Sequence, residues 1–232
     1  MKGFVISDLH IFSRRSNAND ILNSMHMQVK DADFLVLNGD IFDFEWTTLE
    51  SIDKTIFEAV KWLGDLSFQY PDCCIYYILG NHDSLEPFAV LIRKMTHKLT
   101  NLKVINTHLV LGSHLFIHGD LPLARKNPWV RSLKKKVSKR NHFFHICYEY
   151  AVKFNLHKIV YSYFSPEYCS DRIFKALQKY PENFLEQIEH IYFGHTHLPF
   201  TEYPHKNYLF HNTGSAINGM GNNLIEVQYE SS

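Results

Sequence analysis

Short runs of hydrophobic residues in the first part of the chain end directly in polar clusters. The runs occupy residues 4–6, 34–37 and 74–79. Uninterrupted runs of this length, rich in β-branched and aromatic residues, are typical of strands that are buried on both faces. We therefore expect buried strands whose polar clusters lie at the strand ends.

Segments with helical periodicity separate and follow these strands. Hydrophobic side chains recur at intervals of three and four across residues 21–29, 49–63 and 88–95, as they do on the buried face of an amphipathic helix. Thr48 and Ser84 are candidate N-caps. Strands that alternate with helices predict βαβ units, in which ligands bind at the carboxyl ends of the strands.

Beyond residue 103 the pattern changes to closely spaced short strands. Runs at residues 109–111 and 115–117, with Gly112 and Ser113 between them, predict a hairpin. Three further runs near the end of the chain predict strands at residues 191–193, 208–210 and 224–227. The second half is therefore expected to contain mixed or antiparallel β-structure.

The segment from residue 121 to residue 189 lacks a strand pattern and is predicted to be helical. Between Leu121 and His145 it holds eight basic side chains and no acidic one, and aromatic residues are crowded into the part that follows. Because no repeat or linker divides the chain, residues 1–232 are expected to form one domain. Residues 121–189 would be a helical cap inserted within it.

Composition excludes several classes of protein. Hydrophobic residues make up 45% and charged residues 21% of the 232 residues, which is ordinary for a globular chain and argues against disorder. The formal net charge is zero, so no overall charge attracts nucleic acid or a membrane. No hydrophobic stretch approaches the ~20 residues that a membrane-spanning helix needs.

Two features indicate the compartment. The first hydrophobic run begins at Phe4, which leaves no room for a secretory signal. The four cysteines form no C-x-x-C pair and fit a reducing environment. We expect a cytoplasmic protein.

Side chains that bind metal ions recur in the polar clusters at successive strand ends. Asp8 and His10 lie two residues apart, where an extended backbone would place both on one face. Asp40, in Gly39-Asp40-x-x-Asp43, adds a carboxylate that can bridge two cations. Later clusters contribute further nitrogen and oxygen atoms, from Asn81, His82, His118, His195 and His197. Such a mixed set suits manganese, iron or zinc.

In these motifs the chain resembles the calcineurin-like metallophosphoesterase superfamily. The matching motifs are Asp8-Leu9-His10, Gly39-Asp40-Ile41-Phe42-Asp43, Gly80-Asn81-His82-Asp83, His118 and Gly194-His195-Thr196-His197. The resemblance implies an α+β fold, a four-layer αββα sandwich with helices on both sides. It also implies two divalent metal ions, most simply manganese, with iron or zinc as alternatives.

The resemblance assigns a role to each motif residue. One metal would be held by Asp8, His10, Asp40 and His197, and the other by Asp40, Asn81, His118 and His195. Two such cations generate a hydroxide from water and clamp the phosphoryl oxygens during attack. The catalytic pair would be His82, beside the phosphate, and Asp43, which orients its ring.

The substrate is indicated by what the motifs lack and by the insertion. Phe44 follows Asp43, so the arginine typical of protein serine/threonine phosphatases is missing. The insertion resembles that of the UDP-2,3-diacylglucosamine pyrophosphohydrolases of lipid A synthesis, which release UMP from a lipid-linked nucleotide. Many of those enzymes, however, carry arginine where this chain has His82.

The resemblance to these pyrophosphohydrolases extends to the cap. Its basic residues would attract an anionic headgroup and its aromatic residues would bury acyl chains. Arg125, Lys126 and Arg131 are candidate substrate-binding residues. Peripheral contact with the inner face of the membrane would follow. A cap helix that only packs on the core is the alternative interpretation.

Other functions stay open at this point. A phosphodiesterase or phosphatase could act on nucleotides or other phosphorylated small molecules with the same site. A non-catalytic scaffold would be expected to have lost several ligands, whereas none is missing here. A nuclease could stack bases on the aromatic side chains of the cap, although the zero net charge makes a nucleic-acid partner the weaker hypothesis.

Overall fold

The computed structural model of the protein describes residues 1–120, 131–154 and 164–230. Within them, two five-stranded sheets pack face to face. The strands are β1 (Lys2–Ile6), β2 (Phe34–Asn38), β3 (Cys74–Ile78), β4 (Leu102–Ile105), β5 (His108–Leu111), β6 (His114–Ile117), β7 (His190–Phe193), β8 (Phe200–His205), β9 (Tyr208–Asn212) and β10 (Ile225–Gln228). The helices are α1 (Ala18–Val29), α2 (Ile52–Gln69), α3 (Glu86–Thr96), α4 (His142–Lys153) and α5 (Pro166–Leu177), with a 3-10 turn at Glu182–Leu185.

The first sheet has the order β10-β1-β2-β3-β4 and is parallel except for β10. All five residues of β2 are buried, as expected for a central strand covered on both faces. Helices α1, α2 and α3 cover the outer face, where Met25, Leu63 and Phe88 join one hydrophobic core. The predicted βαβ units are therefore confirmed.

The second sheet has the order β5-β6-β7-β9-β8 and mixes parallel with antiparallel pairs. A hydrophobic cluster that includes Val36, Phe116 and Val227 lies between the two sheets. On the outer face of the second sheet, Ile173 of α5 packs with Phe193 and other strand residues. The layers are helix, sheet, sheet and helix, so the expected α+β four-layer sandwich is confirmed.

The expected N-caps of α2 and α3 are wrong. Ser51 caps α2 and accepts a hydrogen bond from the Lys54 N–H at 3.0 Å. Thr48 instead donates its hydroxyl to the Phe12 carbonyl. Ser84 donates to the Gly80 carbonyl, and α3 begins after Leu85 without a side-chain cap. Both hydroxyls hold the loops that follow the strands, which sequence spacing does not distinguish from capping.

The sequence pattern misses two strands. β4 is only four residues long and has a single fully buried side chain, Leu102. β8 is an edge strand that contains Pro204 and a register shift between Phe200 and Tyr203. Proline and irregular pairing are tolerated at an edge, and they hide the alternation that identifies a strand.

The predicted cap divides into two differently packed parts. Residues 121–130 and 155–163, and with them part of the cap, lie outside the described residues. α5 belongs to the outer layer of the sandwich, because Cys169, Ile173 and Leu177 are buried against the second sheet. α4 exposes several large hydrophobic side chains, including Phe143 and Tyr150. The one-domain division with a cap at 121–189 stays a prediction.

Membrane-spanning structure was also sought in the described part of the chain. None of its helices combines the length and the hydrophobicity that crossing a bilayer requires.

A cluster of aromatic and histidine rings lies between the sheets, away from the strand ends that carry the motifs. His114 stacks on His190, with ring centroids 4.6 Å apart, and Tyr192 stacks on His211 at 4.4 Å. Burial, followed by the neighbouring His190, lowers the pKa of His114 to about 4 and that of His211 to about 3. The folded protein therefore holds both imidazoles neutral.

These depressed pKa values predict acid sensitivity of the sandwich. An unfolded chain protonates its histidines near pH 6.5, whereas folded His211 and His114 do so only near pH 3 and 4. The free energy of unfolding should therefore fall as pH drops from about 6.5 towards 4. Denaturant unfolding at several pH values should show that the free energy of unfolding depends less steeply on pH in His211→Gln than in the wild type. His97→Gln, at an exposed position, is the matched control. An equal pH dependence in the wild type and both variants would contradict the prediction.

Candidate metal centre

The motif residues converge at one edge of the sandwich. β1, β2 and β3 are parallel neighbours, so the loops that follow them place Asp8, Asp40 and Asn81 side by side. β6 and β7 are parallel neighbours in the second sheet, and the residues after them are His118 and His195. Gly194 N–H donates to the His118 carbonyl at 2.9 Å and continues this pairing beyond the strands. The predicted convergence at strand ends is therefore observed.

Several candidate ligands share an unusual backbone conformation. Positive φ angles occur at Asp8 (52°), His10 (47°), Asp40 (51°), His195 (63°) and His197 (55°). For residues with a Cβ this left-handed region costs roughly 1–2 kcal/mol each, and such strain clusters at functional sites. The extended backbone expected for Asp8 and His10 is wrong. The chain turns sharply there and still leaves Asp8 Oδ1 3.9 Å from His10 Nε2.

Backbone hydrogen bonds hold the strained loops. Asp8 N–H donates to the Gly39 carbonyl at 3.0 Å, and His10 N–H donates to the Asp40 carbonyl at 3.0 Å. Ile11 N–H then donates to the Ile41 carbonyl at 2.8 Å. The loops after β1 and β2 thus extend the pairing of the strands, which supports conformations that the isolated segments would not adopt.

The first group of possible ligand atoms lies around the buried Asp8 carboxylate. Its Oδ2 accepts a hydrogen bond from the His195 N–H at 2.9 Å and another from the Ser7 hydroxyl. Its Oδ1 lies 3.1 Å from His197 Nε2, and that nitrogen lies 3.4 Å from His10 Nε2. One carboxylate oxygen is held by the protein, and the other faces two imidazole nitrogens.

The second group lies around the Asp40 carboxylate. Its Oδ1 accepts a hydrogen bond from the His82 N–H at 2.7 Å, while Oδ2 lies 3.1 Å from His118 Nε2. His118 Nε2 is also 3.3 Å from Asn81 Oδ1. The possible ligand atoms of Asp40, His118 and His195 all lie within 4.8 Å of one another. Asp40 has the same arrangement as Asp8, with one oxygen fixed and one turned into the site.

Two glycines allow this close approach. A Cβ atom at Gly80 would overlap the Asp40 carboxylate, and one at Gly194 would overlap the Asp8 carboxylate. Both glycines occur in the motifs directly before the candidate ligands Asn81 and His195. They are required because the backbone itself forms part of the wall of the site.

Asp43 lies between two imidazoles. Its Oδ1 is 3.2 Å from His82 Nδ1, and its Oδ2 is 3.4 Å from His10 Nδ1. The sequence indicated the first contact but not the second. A buried carboxylate on the far nitrogen of an imidazole fixes its tautomer and ring orientation. Asp43 can therefore orient His10 as well as His82.

Sequence reasoning missed the side chains that support these residues. Asn38 bridges the two sheets, because its side-chain amide donates to the backbone carbonyls of Ile117 and Tyr192 at 2.9 and 3.3 Å. The backbone carbonyl of Asn38 lies 3.0 Å from His118 Nδ1. This contact turns His118 Nε2 towards Asp40. The only signal in the sequence was a polar residue at the end of an otherwise hydrophobic strand.

Asp83 supports the loops around the site. Its carboxylate accepts hydrogen bonds from the Tyr77 hydroxyl at 2.6 Å, the Gly80 N–H at 2.6 Å and the Ile41 N–H at 3.0 Å. Burial and the nearby Asp40 charge raise the pKa of Asp83 to about 6. These contacts connect the second and third motifs to the end of β3.

Arg131 is the one candidate substrate-binding residue among those described, since Arg125 and Lys126 lie outside the described residues. Its guanidinium makes a two-pronged ion pair with Asp120, with both distances at 2.5 Å, and also contacts Asn106 and Ser84. Only 6% of the side chain is exposed. These contacts fasten residue 131 to the core, and a role in substrate binding stays a prediction.

Carboxylates and imidazoles shift one another's pKa values in opposite directions. Burial opposes protonation of His118, but Asp40 and Asp8 raise the pKa of His118 to about 10. Asp40 and Asp43 likewise overcome burial and raise the pKa of His82 to about 9. Burial and the charge on His118 lower the pKa of His195 to about 4. In the metal-free protein, the positive charges on His82 and His118 therefore offset the negative charges of the carboxylates.

The donor set fits divalent cations. Among the described residues, Asp8 Oδ1, His10 Nδ1 and Asp43 Oδ2 are buried without a hydrogen-bond partner. Asp8, His10 and His197 form one compact group of possible ligand atoms, and Asp40, His118 and His195 form another. A buried polar atom that lacks a partner is costly. A cation in the first group would satisfy Asp8 Oδ1, and both groups offer ligand types that transition metals accept.

The sequence profile of the calcineurin-like phosphoesterases matches residues 1–199. The chain belongs to the calcineurin-like phosphoesterase family. Members of this family use divalent metal ions, and the two groups of candidate ligands agree with that property. The protein is therefore a phosphoesterase enzyme, as its motifs indicated.

Two solved structures resemble this phosphoesterase at low sequence identity, and the first of them supports the fold. A dimetal phosphatase from Danio rerio is 10% identical and aligns over 94% of this chain and 88% of its own, with a TM-score of 0.51. A phosphopantetheinyl hydrolase from Mycobacterium tuberculosis is 12% identical over 93% of this chain and 90% of its own, with a TM-score of 0.46. No curated protein sequence matches the chain.

The elevated pKa of His118 predicts that metal binding releases protons. At pH 7.5 the metal-free protein holds His118 protonated, and an imidazole must lose a proton before its nitrogen can bind a metal. Titration calorimetry with manganese, in buffers of different ionisation enthalpy, should show release of about one proton from this group. His118→Gln should reduce the proton release. A heat of manganese binding that is the same in all buffers would contradict the prediction.

Proposed function

We propose that this phosphoesterase is a two-metal phosphohydrolase, with Asp40 shared between the metals. The observation that carries the proposal is the pair of adjacent ligand groups, one around Asp8 and one around Asp40. One metal would be held by Asp8, His10, Asp40 and His197, and the other by Asp40, Asn81, His118 and His195. Manganese is the proposed metal, with iron and zinc as alternatives.

Metal ions held by these residues would supply Lewis acidity and a nucleophilic hydroxide from water at neutral pH. The chain supplies the geometry. Hydrogen bonds from backbone N–H groups fix one oxygen each of Asp8 and Asp40, so the other oxygens are oriented before substrate arrives. Such preorganisation reduces the reorganisation needed in the transition state.

His82 is proposed to act on the substrate rather than on a metal. Its side chain is 27% exposed, whereas those of His10 and His118 are buried. Asp43 engages Nδ1 at 3.2 Å, which leaves Nε2 to donate a proton to the leaving oxygen or to stabilise negative charge. Positioned proton donors of this kind contribute about 10²–10⁴-fold to rate.

The proposed substrate is a lipid-linked nucleotide, with UDP-2,3-diacylglucosamine as the specific candidate. The support is an exposed hydrophobic stripe on α4, where side chains three and four positions apart share one face. The stripe consists of Phe143, Ile146 and Tyr150 of α4 and continues directly after the helix with Phe154, whose N–H donates to the Tyr150 carbonyl at 2.9 Å. Phe143 is 67% and Phe154 is 66% exposed. Acyl chains or a membrane surface would remove this stripe from water.

Hydrolysis should depend on the proposed metals. We expect manganese to stimulate cleavage of bis-p-nitrophenyl phosphate and EDTA to abolish it, with recovery on addition of manganese. Asp40→Asn should reduce kcat at least ~10³-fold, because it removes the proposed bridging charge from a site that stabilises the transition state electrostatically. Glu50→Gln is a control at an exposed carboxylate. Full activity of Asp40→Asn, or activity in chelator, would exclude the two-metal mechanism.

The proposed substrate makes a separate prediction. The manganese-loaded protein should release UMP from UDP-2,3-diacylglucosamine, and Phe143→Ser with Tyr150→Ser should raise KM for it. A rise of about tenfold corresponds to about 1.4 kcal/mol, which is slightly less than the roughly 1.5–3 kcal/mol for fully burying one large hydrophobic side chain. Phe57→Ser, at an exposed position on α2, is the matched control. Cleavage of soluble phosphodiesters without UMP release would favour a nucleotide or another phosphorylated small molecule as substrate.

A further inference from the structure

A small pocket with a positively charged lining lies beside the candidate metal centre. Its volume is about 150 Å³, and it is lined by Arg14, Thr47, Thr48, Lys139, Arg140 and His145. The lining thus joins the loops after β1 and β2 to the segment that leads into α4. No carboxylate of the described chain belongs to it.

The side chain of Trp46 organises this region. The guanidinium of Arg15 lies 4.4 Å from the centre of the Trp46 ring, and the guanidinium of Arg140 lies 5.7 Å from it. The ring of His145 contacts the indole edge to face at 5.6 Å. Arg140 N–H donates to the Glu45 carbonyl at 2.8 Å. The cations are therefore held in place, which reduces the entropy lost when a ligand binds.

Positive charge exceeds negative charge at the pocket. Glu45 is 3.4 Å from Arg140, but the same carboxylate also pairs with Lys134 at 3.0 Å. His145 Nε2 is buried and has no hydrogen-bond partner among the described residues. Burial, followed by the charges of Arg15, Arg14 and Lys139, lowers the pKa of His145. An anion is the ligand that this environment favours.

Contacts through Arg15 and Trp46 link the surroundings of the pocket to the metal centre. Arg15 lies 3.6 Å from Asp43 Oδ2, and the Trp46 N–H donates to Asp43 Oδ1 at 3.0 Å. Asp43 in turn contacts His10 and His82. The pocket therefore adjoins the loop that carries Asp43, close to the proposed site of hydrolysis.

We propose that this pocket binds a phosphate group of the substrate other than the one that is attacked. The proposal rests on the proposed phosphohydrolase function and specifies its substrate class, namely compounds with at least two phosphate groups. A volume of about 150 Å³ is below the roughly 300–1,000 Å³ of pockets that enclose a whole small molecule. It suits a single group, and arginine and lysine bind phosphate through charge-assisted hydrogen bonds.

The first test measures binding alone, in chelator-treated full-length protein with inorganic pyrophosphate as the probe. Titration calorimetry should show binding that Arg140→Gln and Lys139→Gln each weaken about tenfold, or about 1.4 kcal/mol, because each variant removes a charge-assisted hydrogen bond. Lys136→Gln makes the same charge change three residues away, outside the pocket lining, and should bind as the wild type does. Absence of binding to the wild type, or equal weakening in all three variants, would overturn the proposal.

The second test measures selectivity between substrates that differ by one phosphate. We compare kcat/KM for adenosine 3′,5′-bisphosphate and adenosine 5′-monophosphate with manganese-loaded protein. The wild type should prefer the bisphosphate through a lower KM, and Arg140→Gln should reduce that preference about tenfold, whereas Lys136→Gln should keep it. Hydrolysis with an unchanged preference in Arg140→Gln would overturn the proposal. If no phosphoester is cleaved under any metal condition, the phosphohydrolase function fails, and the pyrophosphate titration still decides the pocket.

Discussion

The buried carboxylates of Asp8, Asp40 and Asp43 are the constraint on which the rest of the site depends. Like charges repel strongly where water is excluded, and an unpaired buried charge is costly. Each of the three carboxylates accepts a hydrogen bond from a backbone N–H and faces at least one imidazole. Protons on His82 and His118 can offset the carboxylates in the protein alone. Metal ions would replace that compensation in the working enzyme.

The same constraint explains the strained loops. An oxygen of Asp8 or Asp40 can face the site only if the chain turns immediately after the strand, and the turn requires positive φ at residues with a side chain. The strain is tolerated because β1 and β2 are central strands of a sheet covered on both faces. The stability of the rigid sandwich thus offsets the backbone strain at the edge that carries the candidate ligands.

The sequence was most informative where local pattern and tertiary environment agree. β2 was predicted because a strand buried on both faces is an uninterrupted hydrophobic run, and the convergence of Asp8, Asp40 and His118 followed from their places at strand ends. β8 was missed because Pro204 and an irregular register belong to an edge strand. The left-handed backbone at Asp8 was also missed, because tertiary hydrogen bonds impose it against local preference.

Contacts between distant segments were beyond sequence reasoning for a different reason. The basic run before His145 looked like a surface that attracts anions in general. Nothing in its spacing indicated which of its side chains would lie beside Trp46 or share a pocket with Arg14. In the structure Arg140 reaches Trp46, which follows the second motif, and Arg15 connects the same ring to Asp43. The chemistry therefore resides in loops fixed by the sandwich. The selectivity proposed above would depend on residues 131–154, which include none of the candidate metal ligands.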